Sequence, residues 1–98
     1  MPEMTFTVQW PDGSTQDCYS PSLVVHDFLE AQATYPIDDF MSRSTTALRQ
    51  AGDRVKARYG MYCTSAAAQI EVLEATRSRY QGGMITVLRM TPGREALA

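Results

Sequence analysis

The sequence has no apolar run longer than a few residues, a single histidine, two cysteines, and no lysine or arginine before position 43. Each shortage excludes something. A membrane-spanning helix needs about 20 mostly apolar residues, so none is expected. The N-terminal segment MPEMTFTVQW has neither a basic start nor an apolar stretch, which argues against a secretory signal peptide and for a cytoplasmic protein. Cys18 and Cys63 stand 45 positions apart with no CxxC pair, and in a reducing compartment they read as free thiols. With His26 as the only histidine, four closely spaced Cys or His ligands for a structural zinc are not available. No metal site and no cofactor is expected.

What is present is ordinary globular material. Ninety-eight residues, 44% apolar and 20% charged, are enough for one core and too few for two. We read residues 1–90 as a single domain and 91–98, with Pro92, Gly93 and Arg94 and no apolar period, as a flexible tail. The net charge of -2 conceals an asymmetry: residues 1–42 carry -7 and the remainder +5. The two parts neutralise each other when packed together. Net acidity without a basic stripe interleaved with aromatics argues against nucleic acid as a partner.

Met4, Phe6, Val8 and Trp10 alternate with polar residues, the period-two pattern of a strand with one buried face. Pro11, Asp12 and Gly13 supply a fixed φ, an Asx-type turn former and a residue free to take positive φ. The chain is therefore expected to reverse into a second strand near Thr15 to Tyr19. Ser20 before Pro21 reads as an N-cap and first helical residue, predicting a short helix to about Leu29. Glu30 to Tyr35 reads as a loop, and Pro36 marks the start of a long helix with Asp38 and Asp39 in its first turn.

In that helix Ile37, Met41, Leu48, Ala51, Val55 and Tyr59 fall at helical spacing, and Gly60 is placed to stop it. Thr64 or Ser65 caps a third helix through Ala66, Ile70, Leu73, Ala75 and Tyr80. Met84 to Met90 reads as a strand with apolar residues on both sides, Ile85 and Val87 on one, Met84, Leu88 and Met90 on the other. The order is ββαααβ. It predicts an α+β fold, a three-stranded sheet with an N-terminal hairpin and a helical hairpin packed on one face.

The ordered segments MPEMTFTVQWPDG, CYSPSLVV, TYPIDDF, SRSTTALRQAGDRVKARYG and MYCTSA resemble a family of short bacterial nitrogen-starvation response proteins. The resemblance spans roughly Pro2 to Met90 and is most specific in the long helix ending RVKARYG. Members of that family are usually encoded beside a nitrilase, a radical SAM protein, an acetyltransferase and a flavin-dependent oxidoreductase. The resemblance implies a part in nitrile-related nitrogen metabolism under nitrogen limitation. It brings no catalytic or binding residue to any position here.

Candidate functional residues come from chemistry alone. Cys63 precedes a helix N-terminus, where the dipole lowers a thiol pKa, although a residue beside a cap also serves packing. His26 could act as its base or as a ligand, or be a plain hydrogen-bonded residue. Cys18 reads as a small apolar residue of the core. Arg54 and Arg58 share a helix face and could hold carboxylates or a phosphate, though solvated bases on a helix are common. Tyr19, with Tyr35, Tyr59, Tyr62 and Tyr80, could line a pocket or an interface. Asp38 and Asp39 point roughly 100° apart and are explained as first-turn acids.

Two functions follow. The first is a non-catalytic accessory or regulatory protein that binds itself or an enzyme of its pathway, with a homodimer formed through the apolar outer side of the last strand. The second is a small enzyme or ligand-binding protein for a nitrile-derived metabolite, using Cys63 or His26.

Overall fold

The computed structural model describes residues 2–61 and 64–97. Alternation in the first segment becomes strand β1, Met4–Gln9, with Met4, Phe6 and Val8 buried. The predicted turn closes as the residue types require. Gly13 takes φ +89°, Trp10 N–H donates to the Ser14 carbonyl at 2.8 Å, and the Asp12 carboxylate accepts the Ser14 N–H at 2.9 Å. Strand β2, Thr15–Ser20, runs back antiparallel with Phe6 opposite Cys18.

The helix expected from Pro21 to Leu29 is instead a 3₁₀ turn over Leu23–Asp27, capped by Ser22, whose hydroxyl accepts the Val24 N–H. Ser20 cannot cap it because it is still in β2, paired with Met4. Val24, Val25 and His26 are all buried, so the segment has no polar face with which to sustain a longer surface helix.

Glu30 to Tyr35 is not simply a loop. Strand β3, Thr34–Pro36, adds a fourth strand to the expected three. Gln32, at φ +69°, turns the chain, and Thr34, Tyr35 and Pro36 pair with Thr86, Ile85 and Met84 of strand β4, Met84–Thr91. Pro36 sits at the end of an edge strand, where its missing N–H costs nothing.

Helix α1, Ile37–Tyr59, begins and ends where the sequence places it. Pro36 is its N-cap, and Gly60 at φ +75° closes it with an N–H to the Lys56 carbonyl. Its apolar stripe is shorter than the sequence suggests: burial stops at Gly52, and Tyr59 is 58% exposed. Helix α2, Thr64–Arg77, packs against α1 as the second arm of the expected hairpin. Arg77 closes the open ends of that hairpin, pairing with Asp38 at 3.0 Å and donating to the Tyr80 carbonyl.

Among the described residues the fold is thus α+β with two α-helices and one antiparallel sheet, order β2-β1-β4-β3. Both helices cover the side bearing Phe6, Val8, Ile85 and Val87, and the other side is left open. At the start of β4, Gly83 holds φ +120°, and a Cβ there would stand 2.8 Å from the Pro11 ring.

One expectation for β4 fails for a local reason. Val8 pairs with Val87 but Thr7 with Arg89, so Leu88 is an extra, bulged residue. The bulge shifts the alternation by one, and Met90 turns into the core opposite Phe6 instead of joining Met84 outside. The open face is consequently polar, built on Thr5, Thr7, Gln9, Thr86 and Arg89, with Thr7 donating to Asp17 at 2.6 Å.

Candidate functional site

The sequence candidates fall in separate places. Cys63 lies outside the described residues. Cys18 faces the core from β2, and burial, reinforced by the neighbouring charge of Asp17, pushes its thiol pKa up to about 12. It is a packed, protonated thiol at neutral pH, not a nucleophile. Tyr19 looks out from the open face and donates to Glu3 at 2.9 Å, while its N–H is taken by Gln69 of α2, which ties down the edge of β2. Arg54 reaches the Ser22 hydroxyl at 3.3 Å beside a cleft of about 270 Å³ lined by Leu23 and Leu97. Arg58 is exposed, its guanidinium 5.8 Å from the Tyr59 ring centre. Arg54 and Arg58 therefore engage different neighbours.

His26 is different. It is 3% exposed, and its Nε2 lies 2.9 Å from the Pro92 carbonyl. A carbonyl only accepts, so Nε2 donates and carries the proton. Arg94 then returns to the same residue, donating to the His26 carbonyl at 2.6 Å. Nδ1 is buried and has no hydrogen-bond partner among the described residues, an uncommon and costly condition for a polar atom.

His26 borders a cavity of about 380 Å³ whose other walls include Tyr35, Arg43, Glu30 and Arg94. Each polar wall group keeps bonding capacity. Tyr35 accepts the Glu30 N–H at 2.9 Å, which leaves its own O–H to donate. Arg43 spends Nε on Asp39 and Nη1 on the Phe28 carbonyl, and its guanidinium rests 5.0 Å from the Tyr35 ring centre. Those bonds orient it and leave Nη2 available. Among the described residues Arg94 uses only Nη1. The cavity thus collects two cationic forks, a phenol and a buried imidazole.

A larger cleft, about 470 Å³, lies at the hairpin end between Trp10, Gln16, Arg79 and Tyr80. Its groups mostly satisfy one another. Trp10 stacks on Tyr80 at 5.5 Å and donates to Gln16 at 2.8 Å, and Ser14 bonds Asp12 at 2.6 Å. The Ser14 hydroxyl holds the Asp12 carboxyl below its usual range. We read this cleft as the sealed end of the core and the His26 cavity as the stronger site.

Sequence reasoning singled out His26 but not Arg43 or Arg94. Neither arginine is marked locally, since one sits in a polar helix turn and the other past the last strand. No group of three or more His, Cys, Asp or Glu able to hold a metal occurs among the described residues, and no described helix is long and apolar enough to cross a membrane. No curated protein and no solved structure matches the chain. A family model does match, that of the nitrogen starvation-induced protein NitG, over residues 5–90. That span runs from the first strand to the last, and the chain belongs to this family.

Proposed function

We propose that the protein serves the nitrogen-starvation response as a cytoplasmic accessory or regulatory protein that works by binding another protein. The observation that carries this reading is the open face of the sheet. Both helices lie on the opposite side, and the uncovered strands present Thr5, Thr86 and Arg89 beside Asp17 and Tyr19. Such a mixed polar face with few apolar residues suits a reversible interface more than a permanent one. A homodimer through this face, or a complex with an enzyme encoded beside the family's genes, are its two forms.

The test is co-purification of the tagged protein from nitrogen-starved cells, followed by mass spectrometry. The expected result is one specific partner that is lost with the double variant T86R/R89E while the melting temperature is retained. Recovery of the same partner by that variant, or of none, would sink the interface. Light scattering at high micromolar concentration decides the homodimer, which a purely monomeric protein would exclude.

A second reading, a small enzyme or ligand-binding protein for a nitrile-derived metabolite, draws its support from the His26 cavity. Turnover of such a metabolite that disappears in Cys63→Ala or His26→Phe, with folding intact, would replace the accessory reading.

A further inference from the structure

We propose that the His26 cavity is a binding site for a small zwitterion of the amino-acid class. Donors and acceptors are distributed unevenly around about 380 Å³ of space. Arg43 Nη2, the unspent nitrogens of Arg94 and the Tyr35 O–H are all donors. Together they form a socket for one carboxylate, which guanidinium groups bind in forked geometry. They do not suit a cation.

The remaining polar groups have the opposite character. Nε2 of His26 gives its proton to the Pro92 carbonyl, and Nδ1 stays buried without a partner among the described residues. Glu30 and Asp27 add carboxylates to the lining. A dianion would be repelled by these acids, and a simple monoanion would leave the two carboxylates unpaired. A ligand with a carboxylate at one end and an ammonium at the other satisfies both sets. The buried Nδ1 and the two arginines come from three distant parts of the chain, on the 3₁₀ turn, on α1 and beyond β4. Arg43 and Arg94 are both exposed, and apart from the Tyr35 ring beneath Arg43 the bonds they make are polar.

The site goes beyond the binding-protein reading and does not depend on it, because it is tested on the isolated chain without any partner. Purified protein, labelled for NMR, is titrated with each of the common α-amino acids, and with succinate, inorganic phosphate and ethylammonium as probes carrying one kind of charge. Saturable shifts of His26, Tyr35 and Arg43 signals by at least one amino acid are expected, with its N-acetyl and methyl-ester derivatives binding more weakly. R94Q and R43Q, at exposed positions, should each fold normally and weaken binding by about tenfold or more, as loss of a hydrogen bond to a charged group does.

If no amino acid binds in the low-millimolar range, or binding is unmoved in both arginine variants, the site is overturned. Phosphate or succinate binding as tightly as the best amino acid would overturn the zwitterion assignment.

Discussion

Neighbouring residues of the same strands build two unlike surfaces. Phe6, Val8, Ile85 and Val87 are fully buried beneath the helices, while Thr5, Gln9 and Thr86, one position away, and Arg89, past the bulge, stand on the open side. Threonine suits both the pleated backbone and water. The open face therefore keeps strand character without apolar burial, and Thr34 and Thr86 meet across the strands at 3.1 Å. Stability resides on one surface, and the proposed recognition falls to the other.

That division can be broken from the inside first. Phe6→Ala is expected to cost about 3–5 kcal/mol, a large share of the 5–15 kcal/mol typical of a domain. A shift of the urea midpoint under about 1 kcal/mol would contradict it. Gly83→Ala comes next, because the start of β4 sets which residues face inward. With φ at +120° and Pro11 at 2.8 Å from the added methyl, a loss of about 1–3 kcal/mol is expected by thermal melting.

A chemical comparison sharpens the same boundary on β2. Cys18 should resist iodoacetamide at pH 8 in the native state and react once unfolded, as peptide mapping can show. Its folded pKa of about 12 stands above the ordinary value of 9.0. The unfolded thiol loses its proton first, so stability is full below pH 9 and falls as pH rises toward 12. Cys18→Ala should make that alkaline decline shallower. The smallest effect belongs to the open face, where Thr86→Ala should move stability by no more than about 0.5 kcal/mol.

The parts of the fold legible in the sequence are those fixed by near neighbours. The turn at Pro11 to Gly13, the alternation of β1 and the stop at Gly60 each depend on residues within a few positions. Strand β3 was not legible, because three residues carry no period and become a strand only against Met84 to Thr86. The Leu88 bulge leaves no mark in composition, which is why Met90 was expected outside. At the candidate site His26 was visible as the chain's only histidine, whereas Tyr35 was one of five tyrosines with nothing to set it apart. Arg43 and Arg94 join them only through tertiary approach.

Without Leu88, β4 would keep its β1 partners in phase, with Val87 still on Val8, Arg89 on Thr7 and Met90 on Phe6. The inner ladder has no use for the extra residue. Arg89 already lies one β1 position from Val87, so the bulged residue adds sequence without adding length to the strand. Deleting the irregularity would therefore leave the Pro92 carbonyl in place over a histidine that lies 66 positions earlier.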